Sequence, residues 1–413
     1  MAKSLVLHIG DPKTGSSSIQ RALFEHKIEC PTVSFDYPPL LSAFLLANTL
    51  HRTAGAGERS TRFSSYAEWL DQSKADVAVI SAEQVSGYKP DAVNAAFQDY
   101  VPAHAATMRV ICYARPHVSR FLSAYAQRTK IGLLETDLED FYLRVNFGKF
   151  MNRHARFLKW REIYGERFVL RPFVRSELQD GDVVADFMDL VLNGEPFRLL
   201  EPTMANVSMT YEALSGLRLL QTSLRKNGVG ENSRQMVGSR INTLVAAQPA
   251  SAGTKLQISK ALHQRILSQC MDDARNLDRD FFKRPMMVPA LEQAAEEAIE
   301  ENLDCSATDF MPRRQIAAIR QTGRALAEAL SANPDAWEVT FQRDMGHKPH
   351  LMGNETFSAE AQKTIATVDD LLAEAGALLT DDWAGAAVTN PKKRAGQKTP
   401  PLNRTPDIRR AQI

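Results

Sequence analysis

The chain has 413 residues, of which 44% are hydrophobic and 24% charged, and its formal net charge is +1. This exceeds what one compact core usually holds and is too apolar for a disordered polymer, so one large domain with an extension, or two domains, is expected. Residues 391–413 carry seven Lys or Arg against Asp407, a net of +6, which leaves 1 − 6 = −5 for residues 1–390. A mildly acidic body excludes a general nucleic-acid surface, so any anion site must be built from a few placed cations.

Cys30, Cys112, Cys270 and Cys305 are far apart and show neither Cys-x-x-Cys nor zinc spacing, so reduced thiols and no metal are expected. Met1-Ala-Lys-Ser4 leads straight into an apolar run without a long hydrophobic leader, and no stretch of 18 apolar residues follows. A cytoplasmic location without a membrane span is expected.

Leu5 to Ile9 is a short apolar run ended by Gly10, followed by a small-residue loop and then Ile19, Ala22, Leu23 and His26 at helical spacing. The pattern is strand, loop, helix. Val77 to Ile80, Val110 to Ala114 and Phe168 to Leu170 are further strand candidates, the first two continuous enough to be buried on both faces. Helical patterns lie between and after them, at Tyr66–Asp71, Asp91–Tyr100, Val118–Thr129, Leu138–Val145, Ala155–Tyr164 and Val183–Val191. The alternation predicts an α/β fold with a P-loop-like, mainly parallel central sheet flanked by helices.

From about Tyr211 the pattern is helical. Ile316, Ile319, Gly323, Leu326 and Leu330 form one amphipathic stripe, and Ile365, Val368, Leu372, Ala375 and Leu379 another. The expected division is an α/β domain over 1–287, a helical C-terminal extension over 288–390 and a basic disordered tail over 391–413. The extension packs on the core or serves an oligomer.

In Gly10-Asp-Pro-Lys13-Thr14-Gly15-Ser16-Ser17-Ser18 the small residues let backbone N–H groups turn inward while the next helix offers its positive end to an anion. Gly10 and Gly15 have Walker A separation, but Ser16 stands where that motif requires lysine, and the lysine sits within the loop at position 13. In a second strand-to-helix junction Arg115 stands at the strand end and Ser123 eight residues on, about two helical turns away. Arginine's planar fork suits phosphate oxygens, so the two junctions together call for a ligand with two separated phosphates. Arg120 reads as a solvated helix residue.

The two motifs resemble the sulfotransferase family, whose first loop has the form Pro-Lys-x-Gly-(Ser/Thr)-(Ser/Thr) and whose second has an Arg followed eight residues later by a Ser. Here these are Pro12-Lys13-Thr14-Gly15-Ser16-Ser17, and Arg115 with Ser123. The wording Arg-Pro-x-x-x-Arg-Phe-x-Ser-Ala-Tyr is similar to that of bacterial and carbohydrate sulfotransferases, and the resemblance spans roughly residues 4 to 190. It implies that Lys13, Thr14, Gly15, Ser16 and Ser17 hold the 5′-phosphosulfate of PAPS (3′-phosphoadenylyl sulfate), while Arg115 and Ser123 hold its 3′-phosphate. PAP is then the product, and a hydroxyl or amine compound the acceptor.

Two features differ from the family pattern. Ser18 stands where small-molecule members carry an aromatic residue, and the Arg-Lys-Gly motif is absent, which leaves Asn206 and Ser208 as candidates for the opposite clamp. Lys13 is the expected stabiliser of the leaving phosphate. Glu83, just past the Val77–Ile80 strand, is the candidate general base, its alternative role being to orient Lys13. His8 reads as packed, His26 as remote from the loop, and His117 as beside the second anion site. The segment Pro31 to Arg62 and the helices after Tyr211 are expected to shape the acceptor pocket. The alternative functions are a P-loop-type nucleotide kinase with a degenerate loop and a catalytically inactive nucleotide-binding module.

Overall fold

The structure of the protein, a computed structural model, describes residues 2–51, 56–145, 147–201, 209–248, 253–301, 303, 306–309, 311–344 and 357–380. Asn206, Ser208, Cys305 and the basic tail lie outside the described residues.

Among the described residues seven strands occur in chain order: β1 Ser4–Gly10, β2 Ile28–Glu29, β3 Phe35–Asp36, β4 Val77–Ser81, β5 Arg109–Ala114, β6 Phe168–Pro172 and β7 Arg198–Leu199. Five of them form a sheet in the order β3-β4-β1-β5-β6, and every pairing within it is parallel. β2 and β7 make a separate antiparallel pair. The continuous apolar runs of β1, β4 and β5 follow from this arrangement, because a parallel strand bridged by helical crossovers is covered on both faces. β1 lies between β4 and β5, with Val6 opposite both Val79 and Arg109.

Successive side chains alternate between two hydrophobic layers. Leu5, Leu7, Ile9, Ile80, Val110 and Cys112 face the larger layer, which is closed by the helices Ala56–Gln72, Pro90–Tyr100, His117–Lys130, His154–Tyr164 and Lys260–Leu277. Val6, Val79, Ile111 and Tyr113 face the other, closed by the helices Ser16–Phe24 and Val183–Val191 through Ile19, Leu23, Val184, Phe187 and Val191. The fold is therefore α/β with a five-stranded parallel sheet flanked by many helices. The edge strand β3 is two residues long and follows Ser34, whose hydroxyl is held by Asp76, a pattern too short to register as a strand by periodicity.

A third cluster contains no sheet residues. Leu217, Leu220 and Leu224 of the Tyr211–Lys226 helix, and Val237 and Ile241 of the Glu231–Ala246 helix, pack on Ile319, Leu326, Val368, Leu372 and Leu379. Both amphipathic stripes after residue 310 are buried here, among them Ile316 and Leu330 of the first and Ala375 of the second. The helices at 211–246 thus share a core with those at 313–380, whereas Met287 and Leu291 belong to the layer beneath the sheet. Among the described residues no helix is long and apolar enough to cross a membrane.

The chain leaves β1 toward β4 and leaves β5 toward β6, on the opposite side. The carboxyl ends of β1 and β5 therefore flank the switch point of the sheet, where an open α/β fold leaves a crevice for ligands. Both predicted anion motifs begin there.

Candidate functional site

The register between β1 and β5 shifts between His8 and Gly10, and this irregularity turns the end of β1 out of the ladder. Gly10 follows with φ +67°, and a Cβ on it would stand 2.7 Å from the Cβ of Glu83. Glu83 thus lies directly against the start of the loop. Lys13 also has a positive φ of 70°, and Gly15 has 81°. A side chain on Gly15 would meet Val183 Cγ1 at 2.6 Å, so both conformation and space demand glycine there.

The Ser16–Phe24 helix begins at Gly15 without a side-chain cap. The N–H groups of Lys13, Thr14, Gly15, Ser16 and Ser17 have no hydrogen-bond partner among the described residues. Forgoing a cap costs about 1 kcal/mol and leaves a row of donors open at the positive end of a helix. Ser16 Oγ, on a residue only 2% exposed, likewise has no partner. Ser17 is exposed. Thr14 differs: its buried hydroxyl donates to the Asp11 carbonyl at 2.6 Å, closing the loop from within and leaving only the backbone N–H of Thr14 for a ligand.

The two motifs meet. Arg115 donates through Nη1 to the Lys13 carbonyl at 2.8 Å and to Ser123 Oγ at 3.2 Å, and through Nε to Ser119 Oγ at 3.1 Å. Its guanidinium also sits 5.7 Å from the centre of the Phe173 ring. Lys13 Nζ donates to Gln127 Oε1 at 2.7 Å, which draws the side chain along the His117–Lys130 helix. Burial pulls the Lys13 pKa below the usual lysine value, the nearby Glu83 carboxylate opposes that shift, and Arg115 adds to it. Burial, reinforced by Lys13, lowers Lys130 to about 8.

Beneath the loop, Asp11 is fully buried and accepts from three arginines: Arg120 Nη1 at 2.5 Å, Arg153 Nη1 at 3.2 Å and Arg156 Nη2 at 2.9 Å. Burial raises the Asp11 pKa, but the three cations outweigh it and bring it down to about 2. Arg120, expected to be a solvated helix residue, is 5% exposed and stacks on Phe150, because its side chain turns inward to this carboxylate. Cys112 Sγ donates to the Gly10 carbonyl, so the loop is tied to β5 as well.

None of the three histidines lies in the crevice. His8 is buried against Phe187 and Tyr113 and bonds Ser81 Oγ at 2.8 Å, and burial lowers its pKa to about 3. His117, expected beside the second anion site, points into the core, where Nε2 contacts Asp273 Oδ2 at 2.8 Å. His26 follows the far end of the Ser16–Phe24 helix and borders a surface cavity of about 410 Å³ with Phe24, Asp36, Tyr37 and Trp69.

The structure thus brings Lys13, Gly15, Ser16, Glu83, Arg115 and Ser123 together at the carboxyl ends of β1, β4 and β5. Gln127 and Lys130 were missed, although their spacing from Ser123 on a predicted helix was legible. Asp11, Arg153 and Arg156 carried no sequence signal, since their association is purely tertiary. The chain matches no known family model and no curated protein.

Proposed function

We propose that the chain is a PAPS-dependent sulfotransferase, transferring a sulfuryl group to a hydroxyl or amine acceptor. The observation that carries this reading is the pairing of two anion subsites across β1 and β5: the open amides of residues 13–17 with the unpartnered Ser16 hydroxyl, and Arg115 with Ser123. A nucleotide with phosphates at both its 3′ and 5′ positions fits two such subsites. The strand order, with a phosphate loop after the central strand, agrees with a P-loop-like sheet.

Bound PAPS supplies an activated sulfuryl group on a phosphate leaving group. The amides and the Ser16 hydroxyl hold the leaving phosphate, while Lys13 donates to the bridging oxygen as negative charge grows there. Arg115 and Ser123 fix the other end of the nucleotide, which aligns the reacting bond. Glu83, against the loop at Gly10, takes the proton of the acceptor as the new bond to sulfur forms. The bond from sulfur to the bridging oxygen breaks, and PAP keeps that oxygen.

Melting the purified protein with PAP, ATP or ADP tests the donor, since a ligand bound only by the native state raises its stability. PAP should stabilise the wild type more than ATP or ADP does, and Lys13→Ala should abolish transfer from PAPS across a broad acceptor panel. Stabilisation by ATP alone would point to the kinase reading and overturn this one. PAP binding without Lys13-dependent transfer to any acceptor would leave a nucleotide-binding module.

A further inference from the structure

Lys130 closes the helix whose face lines the crevice. Ser119, Ser123, Gln127 and Lys130 follow one another at intervals of four, four and three, which places them on one stripe of that helix. The stripe is engaged in order. Arg115 bonds Ser119 and Ser123, Lys13 Nζ bonds Gln127, and Lys130 comes next, its ammonium without a hydrogen bond or ion pair among the described residues.

The direction of the stripe gives each position a meaning. Arg115 also holds the Lys13 carbonyl, so the loop backbone sits at the Ser123 end while the Lys13 side chain runs on toward the helix C-terminus. With roughly 1.5 Å of rise per residue, Lys130 lies about 10 Å along the axis from Ser123. The order from Ser123 is then the 3′-phosphate subsite, the leaving phosphate at Lys13, and a further cation on the acceptor side.

Charge leads to the same place. Lys13 lies near Arg115 and Lys130 as well as the Glu83 carboxylate, so cations outnumber acids around it, and it is close enough to Lys130 to add to the lowering of that lysine's pKa by burial. Arg234, from the helix packed at this end, adds positive charge where Nη1 donates to the Gly132 carbonyl at 2.7 Å. Partly buried positive charge in excess of the nearby carboxylate favours an anionic ligand.

We propose that Lys130 is a catalytic residue that binds the oxygens of the transferring sulfuryl group. The inference rests on the sulfotransferase reading. As the acceptor oxygen or nitrogen attacks sulfur and the bond to the phosphate oxygen breaks, the sulfuryl oxygens keep their negative charge. Lys130 offsets that charge for the incoming nucleophile, whose proton passes to Glu83, and PAP leaves with the bridging oxygen.

PAP lacks the sulfuryl group, so the comparison of PAP with PAPS isolates this contact. Titration calorimetry and turnover would be measured on full-length wild type, Lys130→Met and Lys130→Arg, with native folding checked by circular dichroism. Lys130→Met should bind PAP within about twofold of wild type and PAPS about tenfold more weakly. Its kcat should fall about 100-fold, as for loss of one charge-stabilising donor.

Lys130→Arg should recover most of the turnover. Wild-type kcat/KM should decline as pH rises through about 8, to which burial and then Lys13 lower the Lys130 pKa, and in the arginine variant the decline should move to higher pH, since Lys13 remains. Equal weakening of PAP and PAPS, unchanged turnover in Lys130→Met, or an arginine variant as inactive as the methionine one would each overturn the assignment. A wild type that binds PAP and behaves in one of those ways sinks only the Lys130 role. A wild type that binds neither nucleotide sinks the donor reading and this inference together.

Discussion

Asp11 holds the loop from below. Its carboxylate sits among Arg120, Arg153 and Arg156, and four further buried guanidinium nitrogens of this cluster have no hydrogen-bond partner among the described residues: Arg120 Nε, Arg153 Nε and Nη2, and Arg156 Nε. Removing the Asp11 charge leaves Arg120 and Arg153 buried, and Arg156 partly buried, without the carboxylate that all three share. Asp11→Asn, which keeps the shape and loses the charge, should lower stability by about 3–5 kcal/mol at pH 7, measured by urea unfolding. Because the folded pKa of about 2 lies below the ordinary 3.8, the carboxylate stabilises the fold fully above pH 3.8. That contribution is lost as pH falls toward 2, so the gap between wild type and Asp11→Asn should narrow over this window. A gap that does not change between pH 5 and pH 2.5 would contradict the assignment of the charge to Asp11.

At the scale of elements, the position of the His117–Lys130 helix decides the site. Its N-terminal half is held to the loop by Arg115 and Asp11, and its C-terminal end by the helices after residue 210. Gln221 Nε2 donates to the Lys130 carbonyl at 2.8 Å, and Gly238 packs so closely that a Cβ would stand 2.0 Å from that same oxygen. In an exposed helix, glycine to alanine would stabilise by up to about 1 kcal/mol. Here Gly238→Ala should instead destabilise by about 1–3 kcal/mol, the usual cost of overpacking. Differential scanning calorimetry checks the sign, and a raised melting temperature would mean that the two helices do not meet as described.

For the whole molecule, the helices at 211–246 carry the apolar face that the helices at 313–332 and 359–380 cover. Ending the chain at residue 309 would bare Leu217, Leu220, Leu224, Val237 and Ile241 together. A patch of that kind on a monomer promotes association. The truncated protein should bind a hydrophobic dye strongly and aggregate at concentrations where the full chain stays dispersed, as read by dye fluorescence and light scattering. An unchanged melting temperature without dye binding would show that the two parts stand independently. The same packing supports the end of the helix that bears Lys130, so the helices after residue 210 bear on the site through that helix.

The α/β class, the four longer strands and the two strand-to-helix junctions were legible in the sequence because each rests on local signals: apolar runs of strand length, glycines at sharp turns, hydroxyls at a helix start. Arg115 and Ser123 could be paired for the same reason, since eight residues of helix fix their relation. What the tertiary structure alone decided concerns groups that meet across the chain. It turned Arg120 inward to Asp11, directed His117 to Asp273, spent the Thr14 hydroxyl on its own loop and placed Glu83 against Gly10. Periodicity reports which face of an element is apolar. Where a buried charge finds its partner depends on which elements the fold brings together, and no local pattern encodes that.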